Sequence, residues 1–254
     1  MFARLQMSID TEELMNEAIS KAGGQIVASL LPPNLAYTPE NADYGFPERN
    51  VILELKSLQK ELFTPAYREK LRELAFAWRK QGLIHVFGTA VLELKKLPLI
   101  CQRQWLRLLT KSLQTRVVSK ANSQIEQTKN LLNMPDAKGV LLLANDNTID
   151  LDPLNLVILV SNILQKTHPD GSAQYSSLNA VTFFSCNLPI ISPLVSAPAF
   201  WWFNGHRPSS TPELSTLLIH VESCWYGCLS RRVGYDIPRI HLPQNALENV
   251  TFFR

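Results

Sequence analysis

The stretch NADYGFPERNVILELKSL, residues 41–58, predicts a β-hairpin that brings acids and a lysine together. Its second half alternates apolar and polar side chains with the period of two that is typical of a half-buried strand, which places Glu54 and Lys56 on one face. Residues 47–50, PERN, have the composition of a turn. The hairpin therefore presents polar groups on one side of an otherwise apolar strand.

A symmetric connection sets the register of this hairpin. If the turn is centred on Glu48 and Arg49, whether two or four residues long, the apolar faces of the two strands match. The paired residues are then Phe46 with Val51, Tyr44 with Leu53, and Asp43 with Glu54.

Two opposed carboxylates favour a bound cation, because like charges directly opposite each other in a sheet are destabilising. Mg²⁺ prefers carboxylate oxygens and keeps several waters, and the main-chain carbonyl of Leu55 is a third candidate ligand. Lys56 would stand beside the attacking water, placed to orient or deprotonate it or to stabilise negative charge on a phosphate. The chemistry that fits is metal-assisted phosphodiester hydrolysis.

An acid, a spacer and then acid-x-Lys on the next strand resemble the signature of the PD-(D/E)XK, or restriction-endonuclease-like, phosphodiesterases. Asp43 is the first acid, and Glu54, Leu55 and Lys56 form the triplet. The family usually has proline before the first acid, where this chain has Ala42. The resemblance implies that Asp43 and Glu54 are ligands of Mg²⁺ or Mn²⁺ and that Lys56 is the catalytic lysine.

Two helices supply further candidates through the same resemblance. Such proteins often add a metal-ligating acid from the first helix, for which Glu17 or Glu13 would serve. A polar residue from the helix after the acid-x-Lys strand often reaches the site, which makes Gln124, Gln127 or Lys129 a candidate. Surface placement is the simpler interpretation of each of these three.

Two further (Asp/Glu)-x-Lys triplets lack the hairpin context. They are Glu93 with Lys95 and Asp136 with Lys138, and we interpret both as solvated charges. A structural alternative also exists for the hairpin itself. In that alternative the charged face meets solvent, and Lys56 only neutralises the acids.

The rest of the chain predicts an α/β (α+β) fold, a restriction-endonuclease-like mixed central β-sheet flanked by helices. The continuous apolar run at residues 138–147 is typical of a central strand, and the strand, helix and strand that follow predict a right-handed parallel crossover. Predicted helices cover residues 11–22, 65–81, 102–133, from 153 onward and 212–233, and predicted strands cover residues 25–31, 138–147 and 179–187.

Two features of the predicted elements bear on binding. The helix at residues 102–133 carries six basic residues. They form either a solvated face or a surface that contacts phosphates. Residues 190–210 hold many prolines and the aromatic run FWWF at 200–203, and they predict a loop whose aromatics fill the core, with base stacking as the functional alternative. The six basic residues are Arg103, Arg107, Lys111, Arg116, Lys120 and Lys129.

Composition narrows the class of protein. The 254 residues are 46% hydrophobic, which predicts one domain over residues 1–254, with a core at 10–190 and a helical and loop elaboration at 190–254. A net charge of +3 permits a nucleic-acid partner without requiring one. We expect buried thiols at the four cysteines, and a cytoplasmic protein without a membrane span.

These patterns lead to one main expectation and two alternatives. The main expectation is a Mg²⁺-dependent nuclease that acts on DNA or RNA, with a homodimer as one way to cut two strands. The first alternative is a non-catalytic nucleic-acid-binding or complex-forming subunit of the same fold. The second is an interaction module of a defence or toxin system, which would expose Phe200–Phe203 as a partner surface.

Overall fold

A computed structural model describes residues 9–36, 41–85, 92–146, 153–191 and 196–239. In these ranges one mixed six-stranded sheet is flanked by helices, and its strand order β1-β2-β3-β4-β5-β6 follows the chain. The strands are β1 (Gln25–Ile26), β2 (Tyr44–Phe46), β3 (Val51–Ser57), β4 (Lys138–Ala144), β5 (Ala180–Ile191) and β6 (Ser196–His206). The helices are α1 (Thr11–Lys21), α2 (Val27–Leu30), α3 (Pro33–Ala36), α4 (Leu58–Glu61), α5 (Pro65–Lys80), α6 (Leu99–Ser112), α7 (Ser119–Leu131), α8 (Pro153–Leu164) and α9 (Pro212–Val233).

The predicted hairpin register is confirmed. Tyr44 pairs with Leu53 and Phe46 with Val51 across the antiparallel β2–β3 pair. Asn50 closes the turn with a φ of 55°, a left-handed conformation that asparagine tolerates better than most residues.

The predicted central strand is also confirmed. β4 runs parallel to both β3 and β5, and it is buried from residue 139 to its end. β1–β2 and β5–β6 are antiparallel. Two residues of these predicted elements lie outside the described ranges. They are Asn147, at the end of the predicted strand, and Asp152, at the predicted start of α8.

Alternating side chains divide the core into two layers. Ile52 and Leu141 belong to the layer that packs against α5, α6, α7 and α8. Leu53 and Val140 belong to the layer that packs against α1 and α9. Each fully buried side chain of this size contributes about 1.5–3 kcal/mol relative to an exposed one. The sheet is therefore covered on both faces, as its apolar strands predict.

The prediction of a strand at residues 25–31 is wrong beyond its first two residues. The amide of Val27 still donates to the carbonyl of Asp43, but the chain then forms the short helix α2. The neighbouring strand ends at this point, because the amide of Ala42 is held by Thr128 of α7. The helical turn allows Val27 and Leu31 to be buried instead.

The prediction of a loop at residues 190–210 is also wrong. β5 continues to Ile191 and β6 returns beside it, with Pro189 opposite Pro198 in the ladder. β6 is an edge strand of the described sheet, where a missing amide donor is tolerated. Trp201 and Trp202 are buried, as expected for core aromatics, and their burial counts against both base stacking and a partner surface at 200–203.

The predicted helix at residues 102–133 is present but not uniform. α6 and α7 are joined by a π-helical segment, Leu113–Val118, so that helical structure is continuous from Leu99 to Leu131. Leu113, Val117 and Val118 are fully buried in this segment. The buried face thus persists through the change of helical pitch.

Three of the four cysteines are buried, as expected, and the fourth is not. All four cysteines are free thiols, and Cys101, Cys186 and Cys228 are buried while Cys224 is partly exposed. In the described part of the chain, no helix combines the length and the apolarity needed to cross a membrane.

We expect Gly139→Ala to destabilise the fold, because an added Cβ would lie 1.9 Å from the carbonyl oxygen of Ser177 and 2.7 Å from Ile125 Cγ2. A main-chain contact does not yield by side-chain rotation, so the cost should reach about 3 kcal/mol or more. Gly227→Ala in α9 is the control, since no atom lies within 4 Å of its added Cβ, and it should stabilise by up to about 1 kcal/mol. Denaturant unfolding that gives equal stabilities for the two variants would contradict the close approach.

Candidate active site

Glu54 and Lys56 form a buried ion pair on β3. Because they are separated by one residue, both side chains leave the strand on the face covered by α7. Glu54 Oε1 lies 2.6 Å from Lys56 Nζ, and the two residues are 1% and 5% exposed. This burial contradicts the structural alternative in which the charged face meets solvent.

Helix α7 holds this pair and the segment before β2. Lys56 Nζ donates to Gln124 Oε1 at 2.7 Å, and Gln124 Nε2 donates to the carbonyl of Asn41 at 3.2 Å. One turn along the helix, Thr128 Oγ1 accepts from the amide of Ala42 at 2.8 Å. The structure therefore brings Gln124 to the site, where one side chain connects the lysine to the residues that lead into Asp43.

Asp43 stands between the buried pair and solvent. Its Oδ2 accepts from the amide of Leu55 at 2.7 Å, and the residue is half-buried. The hairpin register, extended by one pair, places Asp43 opposite Glu54. Glu54 Oε2 is buried, and no donor among the described residues satisfies it.

Burial is the main cause that raises the pKa of both carboxyl groups. Desolvation, followed by the negative charge of Asp43, raises the pKa of Glu54 to about 8, although Lys56 acts in the opposite direction. Desolvation also raises the pKa of Asp43, against the opposing effects of the Leu55 amide and the Lys56 charge. Both carboxyl groups therefore hold a proton more readily than a solvent-exposed acid does.

The donor set of this pair fits a divalent cation. Glu54 Oε1 is occupied by Lys56, whereas Oε2 has no donor within the described part of the chain. A cation between Glu54 and Asp43 would satisfy both carboxylates, and Mg²⁺ accepts one or two carboxylates because it retains waters. In the described ranges, no group of three or more His, Cys, Asp or Glu side chains has the arrangement of a metal site. A cation would therefore depend on two acids, the main chain and water.

The structure does not bring Glu17 or Glu13 to this cluster. Glu17 Oε1 lies 2.8 Å from Arg231, and Glu13 forms an ion pair with the following arginine of α9. Both acids lie on the side of α1 that faces α9. The acid of α1 whose charge acts on Asp43 is Glu12, which the sequence patterns did not single out.

The basic residues of α6, the π segment and α7 point in different directions. Lys120 Nζ lies 3.6 Å from Glu61, and Arg116 donates to Thr64 at 2.5 Å, so both residues are beside the elements that follow β3. Lys129 lies near the start of β4, at the end of the strands opposite to Lys56, and burial lowers the pKa of Lys129. Arg103, Arg107 and Lys111 are exposed, and Gln127 is half-buried.

The other (Asp/Glu)-x-Lys triplets lie on the surface. Glu93 is exposed and forms an ion pair with Lys96 at 2.8 Å, and the side chain of Lys95 lies outside the described residues. Asp136 is exposed in the turn before β4. Both acids are solvated, as the sequence interpretation has it.

A second buried carboxylate, Asp146, was missed in the sequence. It follows β4 and accepts from the amide of Cys186 at 3.0 Å, from Ser185 Oγ at 3.3 Å and from the hydroxyl of Thr11. Burial, followed by the charge of Asp146, raises the pKa of the Cys186 thiol to about 12, so this sulfur is a neutral thiol. Asp146 thus anchors the first residue of α1 to the sheet. The available signal was a carboxylate directly after a buried strand.

No protein-family model, curated protein or solved structure matches the chain. The functional argument therefore rests on the geometry and chemistry of the candidate site.

We expect the stability of the protein to fall as the pH rises from about 5 to about 8. The unfolded chain loses the Glu54 proton near its ordinary pKa of 4.5, whereas the folded protein keeps it until about 8. Between these values the folded state binds more protons, so deprotonation favours unfolding. Glu54→Gln should remove most of this slope, and Glu12→Gln, at a side chain that is 66% exposed, should keep it. Urea unfolding at several pH values measures the slope, and a slope unchanged in Glu54→Gln would refute the assignment.

Proposed function

We propose that this protein is a restriction-endonuclease-like, Mg²⁺-dependent nuclease that hydrolyses phosphodiester bonds of DNA or RNA, with Mn²⁺ as an alternative cation. The observation that carries the proposal is the position of two acids, Asp43 and Glu54, opposite each other in the hairpin register and beside a buried lysine. A pair of acids in this state needs a proton or a cation, and Lys56 adds a positive charge where a phosphate would develop negative charge.

Each side chain has a role in this mechanism. Asp43 and Glu54 would hold the cation, with the Leu55 carbonyl as a third ligand, and a bound Mg²⁺ would supply Lewis-acid polarisation of the phosphate. The described contacts use two of the three N–H donors of Lys56, on Glu54 and on Gln124. The third donor is then directed to a phosphate oxygen or to the attacking water. Gln124 positions the lysine and contacts no reacting atom.

The sheet supports the same proposal. An antiparallel hairpin followed by a parallel strand, with helices on both faces, is consistent with the core that the sequence resemblance implies. In this arrangement the acid-x-Lys triplet lies in the second half of β3, where the neighbouring parallel strand is also close to its end. Carboxyl ends of parallel strands are common positions for binding sites in open α/β sheets.

A second candidate is a non-catalytic nucleic-acid-binding or complex-forming subunit of the same fold. The observation that favours it is the closed ion pair, since Lys56 is 5% exposed and already neutralises Glu54. In this candidate the pair stabilises the packing of β3 against α7 and takes no part in chemistry. The two candidates differ in metal binding and in cleavage.

Cleavage of mixed DNA and RNA in the presence of Mg²⁺ or Mn²⁺ tests the nuclease. Lys56→Met keeps the volume of the side chain but removes its charge, and we expect it to lower the rate by about 10²–10⁴-fold, the range for a general acid–base group. Lys21→Met is the matched control, because this lysine is half-exposed in a surface pair with Glu17 and should leave the rate unchanged. Chelator should abolish cutting. Equal rates for Lys56→Met and wild type would exclude the proposed role of the lysine.

Metal binding should release the proton that Glu54 holds. We expect Mg²⁺ to bind more tightly as the pH rises toward about 8, because it competes with the proton on Glu54. Calorimetry at about pH 7 in two buffers of different ionisation enthalpy would measure the released proton, and Asp43→Asn should abolish both heat and release. If neither cation binds in an Asp43-dependent manner at any pH and nothing is cut, the second candidate takes the place of the nuclease.

A further inference from the structure

One exposed lysine lies beside the outer end of the candidate site. Lys60 is on α4, the short helix that directly follows β3. Its Nζ lies 3.6 Å from Glu12 Oε2, and the two side chains are 74% and 66% exposed. Because α4 begins directly after Ser57, the last residue of β3, Lys60 follows Lys56 of the buried pair by only four residues.

A second exposed lysine lies on the α7 side of the same helix. Lys120 Nζ is 3.6 Å from Glu61 Oε2, with side chains that are 54% and 29% exposed. Lys120 precedes Gln124 by one helical turn, and Gln124 contacts Lys56. Lys60 therefore lies on α4 and reaches toward α1, and Lys120 lies on α7 and reaches toward α4.

These surface pairs differ in kind from the buried pair. Lys56 and Glu54 are 2.6 Å apart and both buried, whereas both surface pairs are 3.6 Å apart and solvent-accessible. Exposed pairs of this type contribute about 0–1 kcal/mol to stability. The two lysines therefore exchange their glutamate partners readily for another anion, and the fold does not depend on either pair.

We propose that Lys60 and Lys120 form the mouth of the candidate site and bind backbone phosphates of a nucleic-acid strand on either side of the phosphate that enters the site. That the ligand is a nucleic acid rests on the proposed function. That the two lysines can bind anions rests on their positions and exposure alone. Glu12 and Glu61 occupy the lysines when no strand is bound, so that each phosphate has to displace a carboxylate.

Salt-dependent binding of fluorescent oligonucleotides tests this mouth. Anisotropy in EDTA prevents cleavage, and single-stranded and duplex DNA and RNA are compared as separate probes. Lys60→Gln and Lys120→Gln should each raise Kd and reduce the slope of log K against log salt by about 0.7 for single strands or about 0.9 for duplex DNA. Lys21→Gln, the matched surface lysine of α1, should change neither quantity.

Substitution of the glutamate partners should change oligonucleotide affinity in the opposite direction. Glu12→Gln and Glu61→Gln remove the competing carboxylates, so both variants should bind the oligonucleotides more tightly than wild type. A purely structural role for these ion pairs predicts that lysine and glutamate substitutions act in the same direction. Opposite effects on Kd therefore support phosphate binding at the mouth.

The outcomes separate this inference from the nuclease proposal. If the wild type binds, the lysine variants show the expected slope changes and nothing is cut in Mg²⁺ or Mn²⁺, the phosphate-binding mouth is supported and the nuclease proposal is refuted. Unchanged slopes and Kd values in both lysine variants overturn the mouth, even if the wild type cleaves. Absence of binding to all four probes overturns it as well.

Discussion

Two carboxyl groups buried side by side cannot both stay ionised without a proton or a cation between them. Asp43 and Glu54 are in this situation, and the elements around them supply what the acids require. Lys56 compensates one charge, and the Leu55 amide stabilises the outer carboxylate. Helix α7 keeps the lysine in place through Gln124. The hairpin, the helix and the central strand together bury a group that is poised between a proton and a metal ion.

Local patterns in the chain were enough to predict the hairpin. A four-residue turn sequence and alternating side chains determine the register, because a slip by one residue would move the whole apolar set to the other face. The helix that carries Gln124 was predicted as well, but surface placement was the simpler interpretation of this glutamine, which is in fact buried. What the amides contact depends on the fold, because Lys56 and Gln124 are 68 positions apart in the chain.

Long-range packing explains the parts that sequence patterns could not predict. Glu17 of α1 is held away from the site by α9, whose Arg231 contacts it across 214 positions. The burial of the charged face of β3 depends in the same way on a helix that forms later in the chain. Prolines at 189 and 198 indicate a loop locally, yet the two residues face each other across an edge pair where neither amide is needed.

The sheet order, which repeats the order of the chain, has a consequence for biosynthesis. Neighbouring strands in the sheet are also consecutive in the chain, but residues 58–137 separate β3 from its parallel neighbour β4. The hairpin is therefore synthesised well before α7 and β4, and until they arrive its acids and lysine are in water. Their protonation and pairing change only when the covering elements dock. The late docking step converts an ordinary charged hairpin into a desolvated site, and it is slow in principle because the loop that it closes is long.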